Sequence, residues 1–285
     1  MKLLRTLLIT TVLATGSTAY AAGEHSSGHP APATSHEVMD HGSHDKTEMK
    51  NTVKLSLMPQ GTLEIGKTTK VTAKLTSLMG DKMLGDTDLK EAHTRKLHLL
   101  VVDPSLSDYH HIHPVPAKNG EWTFDFTPLK NGSYRVWADV IPVATGKQEY
   151  VMTDIGTPAK DKTAIQKTSS MTSTVDGYTF TLALDSEPKA GAAVMGNITI
   201  TKDGKPFTHL EPVMGAFAHV VGFTEDYNSV LHIHPMGKEP TSDTERGGPK
   251  LEFHIEPKTA GFVKLFAQVK IGGKDIFAPL GVIVK

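Results

Sequence analysis

The chain of 285 residues contains no cysteine. Disulfide bonds, thiolate metal sites and a lipid-modified N-terminal cysteine are therefore excluded. A blue-copper electron-transfer site is excluded as well, because its metal is held by a cysteine thiolate. Any metal chemistry must rely on other ligands.

The chain also lacks an apolar run of the roughly 18 residues that a membrane-spanning helix needs. A short apolar run, Leu7–Ala14, follows two basic residues and precedes the triplet Ala19-Tyr20-Ala21. This order predicts a signal peptide over residues 1–21, cleaved before Ala22. We therefore expect a periplasmic or secreted protein with no membrane span.

Excess charge and familiar catalytic motifs are missing too. The net charge is −1 with neutral histidines, which gives no support for nucleic-acid binding. The sequence contains no HExxH, no GxSxG and no glycine-rich phosphate loop, which are the patterns typical of metallohydrolases, serine hydrolases and nucleotide-binding enzymes. We expect a protein that is not an enzyme.

Histidine is the abundant residue, with 15 copies. Residues 22–50 combine histidine with Gly, Ser, Pro and Ala and have few large apolar side chains, so they predict a disordered His-rich tether. Its side chains could hold metal loosely, or the segment could be a solvated linker. The side chains in question are His25, His29, His36, His41, His44, Met39 and Met49.

From residue 51 onward, short runs of alternating polarity are separated by Gly, Pro, Asn and Asp. Runs such as VKLSLMP, EWTFDFTP and GYTFTLALD predict β-strands, and no helical period is evident. We predict an all-β fold of two tandem immunoglobulin-like or cupredoxin-like β-sandwich domains, over residues 51–160 and 168–285. The side chains of Trp122, Tyr134 and Trp137 are expected inside the sandwich.

The two domains are predicted to be copies of one another. His98 and His219 are 121 positions apart, and the same offset relates the two HIHP sequences at residues 111–114 and 232–235. Beyond a longer loop in the second copy the offset becomes 129, as for Trp137 and Phe266. An internal duplication explains this pattern.

Each copy offers three histidines to one metal ion. In the first copy, an antiparallel pairing that sets His98 opposite either His111 or His113 places all three side chains on one face. The second copy gives the same arrangement. Imidazole nitrogens suit copper and zinc. The predicted metal ligands are His98, His111, His113, His219, His232 and His234, with His93 and Met214 as weaker candidates.

Two segments carry a family resemblance: LHLLVVDPSLSDYHHIHP at residues 97–114 and MGAFAHVVGFTEDYNSVLHIHP at residues 214–235. They resemble a family of bacterial exported two-repeat proteins with H-x-H-P motifs, and also immunoglobulin-like modules associated with heavy-metal handling, especially of copper. The resemblance covers about residues 60–285. By position it marks the same six histidines, and it does not imply a methionine ligand at Met214.

Three functions stay open at this point. The first is a periplasmic protein that binds, buffers or delivers copper, or alternatively zinc, with the metal ion and an envelope metal-efflux or delivery protein as partners. The second is a metal-free structural, adhesion or protein-interaction module whose edge strands would contact a partner. The third is a zinc-dependent hydrolase with an open coordination position.

Overall fold

The computed structural model describes residues 51–158, 164–233 and 235–285. The predicted signal peptide and tether lie outside the described residues, and so does His234. Of His232 only the strand position is described. The predicted domain boundaries stay predictions.

Within residues 51–158 the chain forms nine strands. They are β1 (Val53–Pro59), β2 (Thr69–Ser77), β3 (Leu89–Lys90), β4 (His98–Val102), β5 (Tyr109–Ile112), β6 (Val115–Pro116), β7 (Trp122–Phe126), β8 (Tyr134–Pro142) and β9 (Glu149–Ile155). The helical segments of the described residues are two 3-10 turns, Asp86–Asp88 and Lys118–Gly120. Neither could cross a membrane.

Within residues 164–285 the described chain forms ten further strands. They are β10 (Thr172–Val175), β11 (Tyr178–Leu184), β12 (Val194–Lys202), β13 (Lys205–Pro206), β14 (His219–Thr224), β15 (Val230–Ile233), β16 (Pro235–Met236), β17 (Lys250–Ile255), β18 (Gly261–Ile271) and β19 (Lys274–Val284). The all-β prediction is confirmed.

Each repeat is a sandwich of two antiparallel sheets. In the first repeat the outer sheet has the strand order β1-β2-β7-β6. The inner sheet is centred on β8, which pairs with β4, β9 and β3, and β5 pairs with the other edge of β4. In the second repeat the inner sheet is β15-β14-β18-β19 and the outer sheet is β10-β11-β12-β17-β16, with β13 paired to β12. Each sandwich encloses its own apolar core.

A third apolar cluster joins the repeats, and we call it the inter-repeat cluster. Its buried members are Leu100, Val102, Leu106, Tyr109, Trp137, Val221, Phe223 and Phe266. Partly buried Tyr150, Tyr227, Val230 and Phe277 pack against it. Nearly every member has its duplicate in the same cluster, for example Leu100 with Val221 and Trp137 with Phe266. The two inner sheets therefore meet through equivalent faces.

This packing explains why the four residues of β4 that follow His98 are all apolar. All five of its residues are buried, since Leu99 and Val101 face the first sandwich core while Leu100 and Val102 face the second repeat. The prediction for Trp122 and Tyr134 is correct, but that for Trp137 is wrong. The Trp137 side chain packs between the repeats because it lies on the face of β8 that covers the second inner sheet.

Candidate metal centre

Three histidines of the first repeat converge at the edge of the inter-repeat cluster. His98 begins β4, His111 lies on β5, and His113 is the residue directly after β5. Leu100 pairs with His111, so His113 is level with His98. Directly opposed residues of antiparallel strands share a face. The three imidazoles therefore project towards the second repeat, and we call them the His trio.

The spacing of the His trio suits a metal ion. One ring nitrogen from each residue lies within 4.8 Å of the other two. His98 Nδ1 and His111 Nε2 are 3.2 Å apart, and the His113 ring centroid lies 4.9 Å from that of His98 and 4.7 Å from that of His111. A tetrahedral ion with bonds of about 2.0–2.1 Å separates its ligand nitrogens by roughly 3.3 Å. The His98–His111 distance matches this value.

A backbone carbonyl sets the tautomer of His98. The Nε2 atom lies 2.9 Å from the carbonyl oxygen of Ala92. Because a carbonyl oxygen only accepts, Nε2 carries the proton and donates it. The lone pair of neutral His98 is consequently on Nδ1, the nitrogen that faces His111.

A side chain of the second repeat sets the tautomer of His111. Its Nδ1 lies 2.8 Å from Oε1 of Gln268. The amide nitrogen of Gln268 is 3.4 Å from a carboxylate oxygen of Asp275, which fixes the amide orientation, since an ionised carboxylate only accepts. His111 Nδ1 therefore donates to Gln268, and the lone pair is on Nε2.

Two lone pairs thus face each other across the 3.2 Å between His98 and His111. A shared cation, either a proton or a metal ion, makes such an arrangement of neutral tautomers favourable. Outer partners of this kind, a carbonyl and an amide oxygen that orient metal-binding imidazoles, are the usual second shell of histidine metal sites.

The second repeat reproduces part of this geometry. His219 is buried at the start of β14, and its Nε2 lies 3.1 Å from the carbonyl oxygen of Val213, the counterpart of Ala92. His232 pairs with Val221, as His111 pairs with Leu100. The His219 ring centroid is 6.3 Å from that of His111. His219 of the second copy thus lies close to the His trio, between the two inner sheets.

The weaker candidates, His93 and Met214, occupy matching turns before β4 and β14. Both residues have positive φ, of 49° and 50°. The His93 ring centroid is 6.2 Å from that of His98. His93 therefore lies beside the His trio, while Met214 is a half-buried residue of the second turn.

His110 belongs to the first sandwich and not to the His trio. Its Nε2 lies 3.0 Å from Oδ1 of Asp108, and its ring packs edge-on against Phe126. Burial raises the pKa of the Asp108 carboxyl, but hydrogen bonds from His110, Tyr134 and the Leu129 amide outweigh it and lower the pKa overall. This carboxylate serves the fold.

The sequence profile of a family described as a domain of unknown function (DUF8832) matches residues 47–156 and 173–285. The chain belongs to the DUF8832 family. The two matched segments correspond to the two repeats, so this DUF8832 protein carries the family domain twice. No curated protein matches the chain.

Two of the solved structures that are similar to this DUF8832 chain share little sequence with it. Trypsin-activated α2-macroglobulin from Escherichia coli is 14% identical with a TM-score of 0.25, over 82% of this chain and 15% of that one. Red sea bream transglutaminase is 11% identical with a TM-score of 0.24, over 83% of this chain and 32% of that one. The chain thus spans less than a third of either protein, and similarities at this level say nothing about activity.

Sequence reasoning missed Gln268 and Asp275, which orient His111 in this DUF8832 protein. One signal was available. Gln268 is a buried polar residue in the apolar strand β18, and at the offset of 129 it is the duplicate of buried Asp139. Asp139 pairs with His98 and Gln268 pairs with His219, so each lies opposite the histidine that begins β4 or β14.

Proposed function

We propose that this protein binds a transition-metal ion through His98, His111 and His113, with copper as the physiological ion and zinc as the alternative. The observation that carries the proposal is the set of three ring nitrogens within 4.8 Å of one another. The fixed tautomers of His98 and His111, whose lone pairs meet at 3.2 Å, supply the second reason.

Methionine placement favours copper over zinc. Six methionines of the described residues are exposed: Met58, Met79, Met152, Met171, Met195 and Met236. Methionine is normally buried, and thioether sulfur is a soft ligand that selects Cu(I). A surface that displays thioethers suits a protein that collects copper and transfers it to an imidazole site.

The role that fits this chemistry is binding, buffering or delivery, not catalysis. The His trio contains no carboxylate that could act as a general base, and catalytic zinc sites need one or an equivalent group. The signal peptide expected from the sequence places this role in the periplasm or outside the cell, where an envelope metal-efflux or delivery protein would be the partner.

Metal titration of the untagged chain tests the proposal. The five tether histidines are first changed to glutamine, so that the tether does not contribute imidazole ligands. Titration with Cu(I) and with Zn²⁺ against a coloured chelator then gives the number of ions bound. The triple variant His98→Ala/His111→Ala/His113→Ala is expected to lose one equivalent.

His209→Ala is the matched control, because His209 is exposed in a loop before β14. It is expected to bind as many ions as the parent. If the triple variant, still folded by circular dichroism, binds the same number of ions as the parent, the proposed function is wrong. If the triple variant does not fold, the single variant His111→Gln is titrated in its place.

A further inference from the structure

His93 and His219 form a second pair of imidazoles beside the His trio. Their ring centroids are 5.7 Å apart. The His93 ring is also 6.2 Å from that of His98, and the His219 ring is 6.3 Å from that of His111. Two imidazoles on one tetrahedral ion have centroids roughly 5 Å apart, given metal–nitrogen bonds of about 2.0–2.1 Å. The observed separation of 5.7 Å is close to this value.

The backbone holds His93 in this position by an unusual turn. Residues Ala92 and Arg95 exchange two backbone hydrogen bonds, and the central residues His93 and Thr94 both have positive φ, of 49° and 63°. Such turns prefer Asn-Gly, and a β-branched residue is strongly disfavoured there. The corresponding turn of the second repeat has glycine, Gly215, at the second central position. Strained backbone of this kind is concentrated at ligand sites.

A pocket connects this pair to the surface. A cavity of about 70 Å³ is lined by both His93 and His219. The same cavity is lined by Met236, whose side chain is 48% exposed, and by Gly215 and Glu239. The pocket is thus large enough for a hydrated ion or a few waters, and an exposed thioether stands at its edge.

We infer that His93 and His219 are the ligands of a second, more exposed position for the same metal ion, reached past Met236. This inference rests on the proposed function of the His trio. Because His93 is within ring contact of both His219 and His98, an ion bound at the second position passes to the trio by ligand exchange. The second repeat then contributes directly to metal acquisition, through His219.

Anaerobic titration with Cu(I) distinguishes the two positions, in the background that lacks the tether histidines. The parent is expected to bind one ion tightly and a second ion more weakly. The double variant His93→Gln/His219→Gln is expected to lose the weaker equivalent and to load the tight position more slowly, with its affinity kept. The triple alanine variant of the trio is expected to lose the tight equivalent alone.

Controls separate the two proposals. Because His219 is buried, its replacement could disturb the core. The single variant His93→Gln avoids this, since His93 lies in a half-exposed turn. It too should lose the weaker equivalent. Met236→Ala should slow loading, whereas Met58→Ala, at an exposed methionine of β1 outside the pocket, should not. Unchanged stoichiometry and loading rate in both His93 variants overturn the second position and leave the trio intact. No binding by the parent overturns both.

Discussion

At the residue scale, the site depends on atoms that come from distant parts of the chain. His111 and Gln268 are 157 positions apart in sequence, yet they are joined by a 2.8 Å hydrogen bond. Residue parity on two adjacent strands was enough to predict that His98, His111 and His113 share a face. A polar residue in the apolar strand β18 marks Gln268 as unusual, but no local pattern could predict its contact with His111, because that contact depends on how the two sandwiches pack.

Replacing Gln268 with leucine removes the acceptor that fixes the His111 tautomer. We expect metal affinity at the trio to fall by about 10–100-fold, the usual effect of losing an outer-shell partner. Gln268→Glu keeps an acceptor and should retain most of the affinity, with a changed pH dependence of binding. Competition titration with a chelator measures both. Gln60→Leu, at an exposed position, is the control, and equal losses in the Leu and Glu variants would contradict this role.

At the element scale, the sequence predicts where the strands lie better than it predicts which layers cover them. Alternating burial in β2 and β17 matches the period of two that predicts a half-buried strand. In β4, by contrast, all five residues are buried, and burial on both faces indicates a second covering layer. The location of that layer depends on long-range packing, which explains the wrong prediction for Trp137.

The loop between β4 and β5 is secured to β8 by a buried carboxylate. Asp108 accepts hydrogen bonds from the Tyr134 hydroxyl and, at 2.8 Å, from the Leu129 amide. Folding lowers the pKa of Asp108. Its negative charge therefore stabilises the fold at pH values above the ordinary aspartate pKa of about 4. That stabilisation is lost as the pH falls through the lowered value.

Asp108→Asn should therefore reduce stability at neutral pH by about 1–3 kcal/mol and flatten the loss of stability on acidification below about pH 5. Urea unfolding at a series of pH values measures both effects. Asp125→Asn, at an exposed position of β7, should leave the acid dependence as it is. An acid dependence of Asp108→Asn as steep as that of the parent would refute the assignment.

At the scale of the whole molecule, the two repeats are held together by more than apolar contact. The hydroxyl of Tyr227, in the second repeat, donates to the Val102 carbonyl at 2.6 Å and accepts from the Arg135 amide at 2.6 Å. The Arg135 guanidinium also lies over the Tyr227 ring, 4.5 Å from its centroid. Burial raises the pKa of this tyrosine, so the hydroxyl stays protonated and remains a donor.

Tyr227→Phe keeps the ring but leaves the Val102 carbonyl and the Arg135 amide without this hydroxyl. We expect a loss of about 1–3 kcal/mol in the free energy of unfolding, measured by urea denaturation. Tyr178→Phe removes a hydroxyl whose side-chain contact is a 3.4 Å hydrogen bond from exposed Lys202, and it should change stability far less. Equal effects of the two substitutions would show that the hydroxyl does not join the repeats.

The equivalent faces that meet in the inter-repeat cluster have an evolutionary consequence. A patch that fits its own copy is what a single ancestral repeat needs to associate with itself as a symmetric dimer. In such a dimer any substitution appears on both sides. After gene fusion the halves can diverge, as Asp139 and Gln268 have done. At the proposed trio site, the first half can then supply the three imidazoles while the second half orients one of them through Gln268.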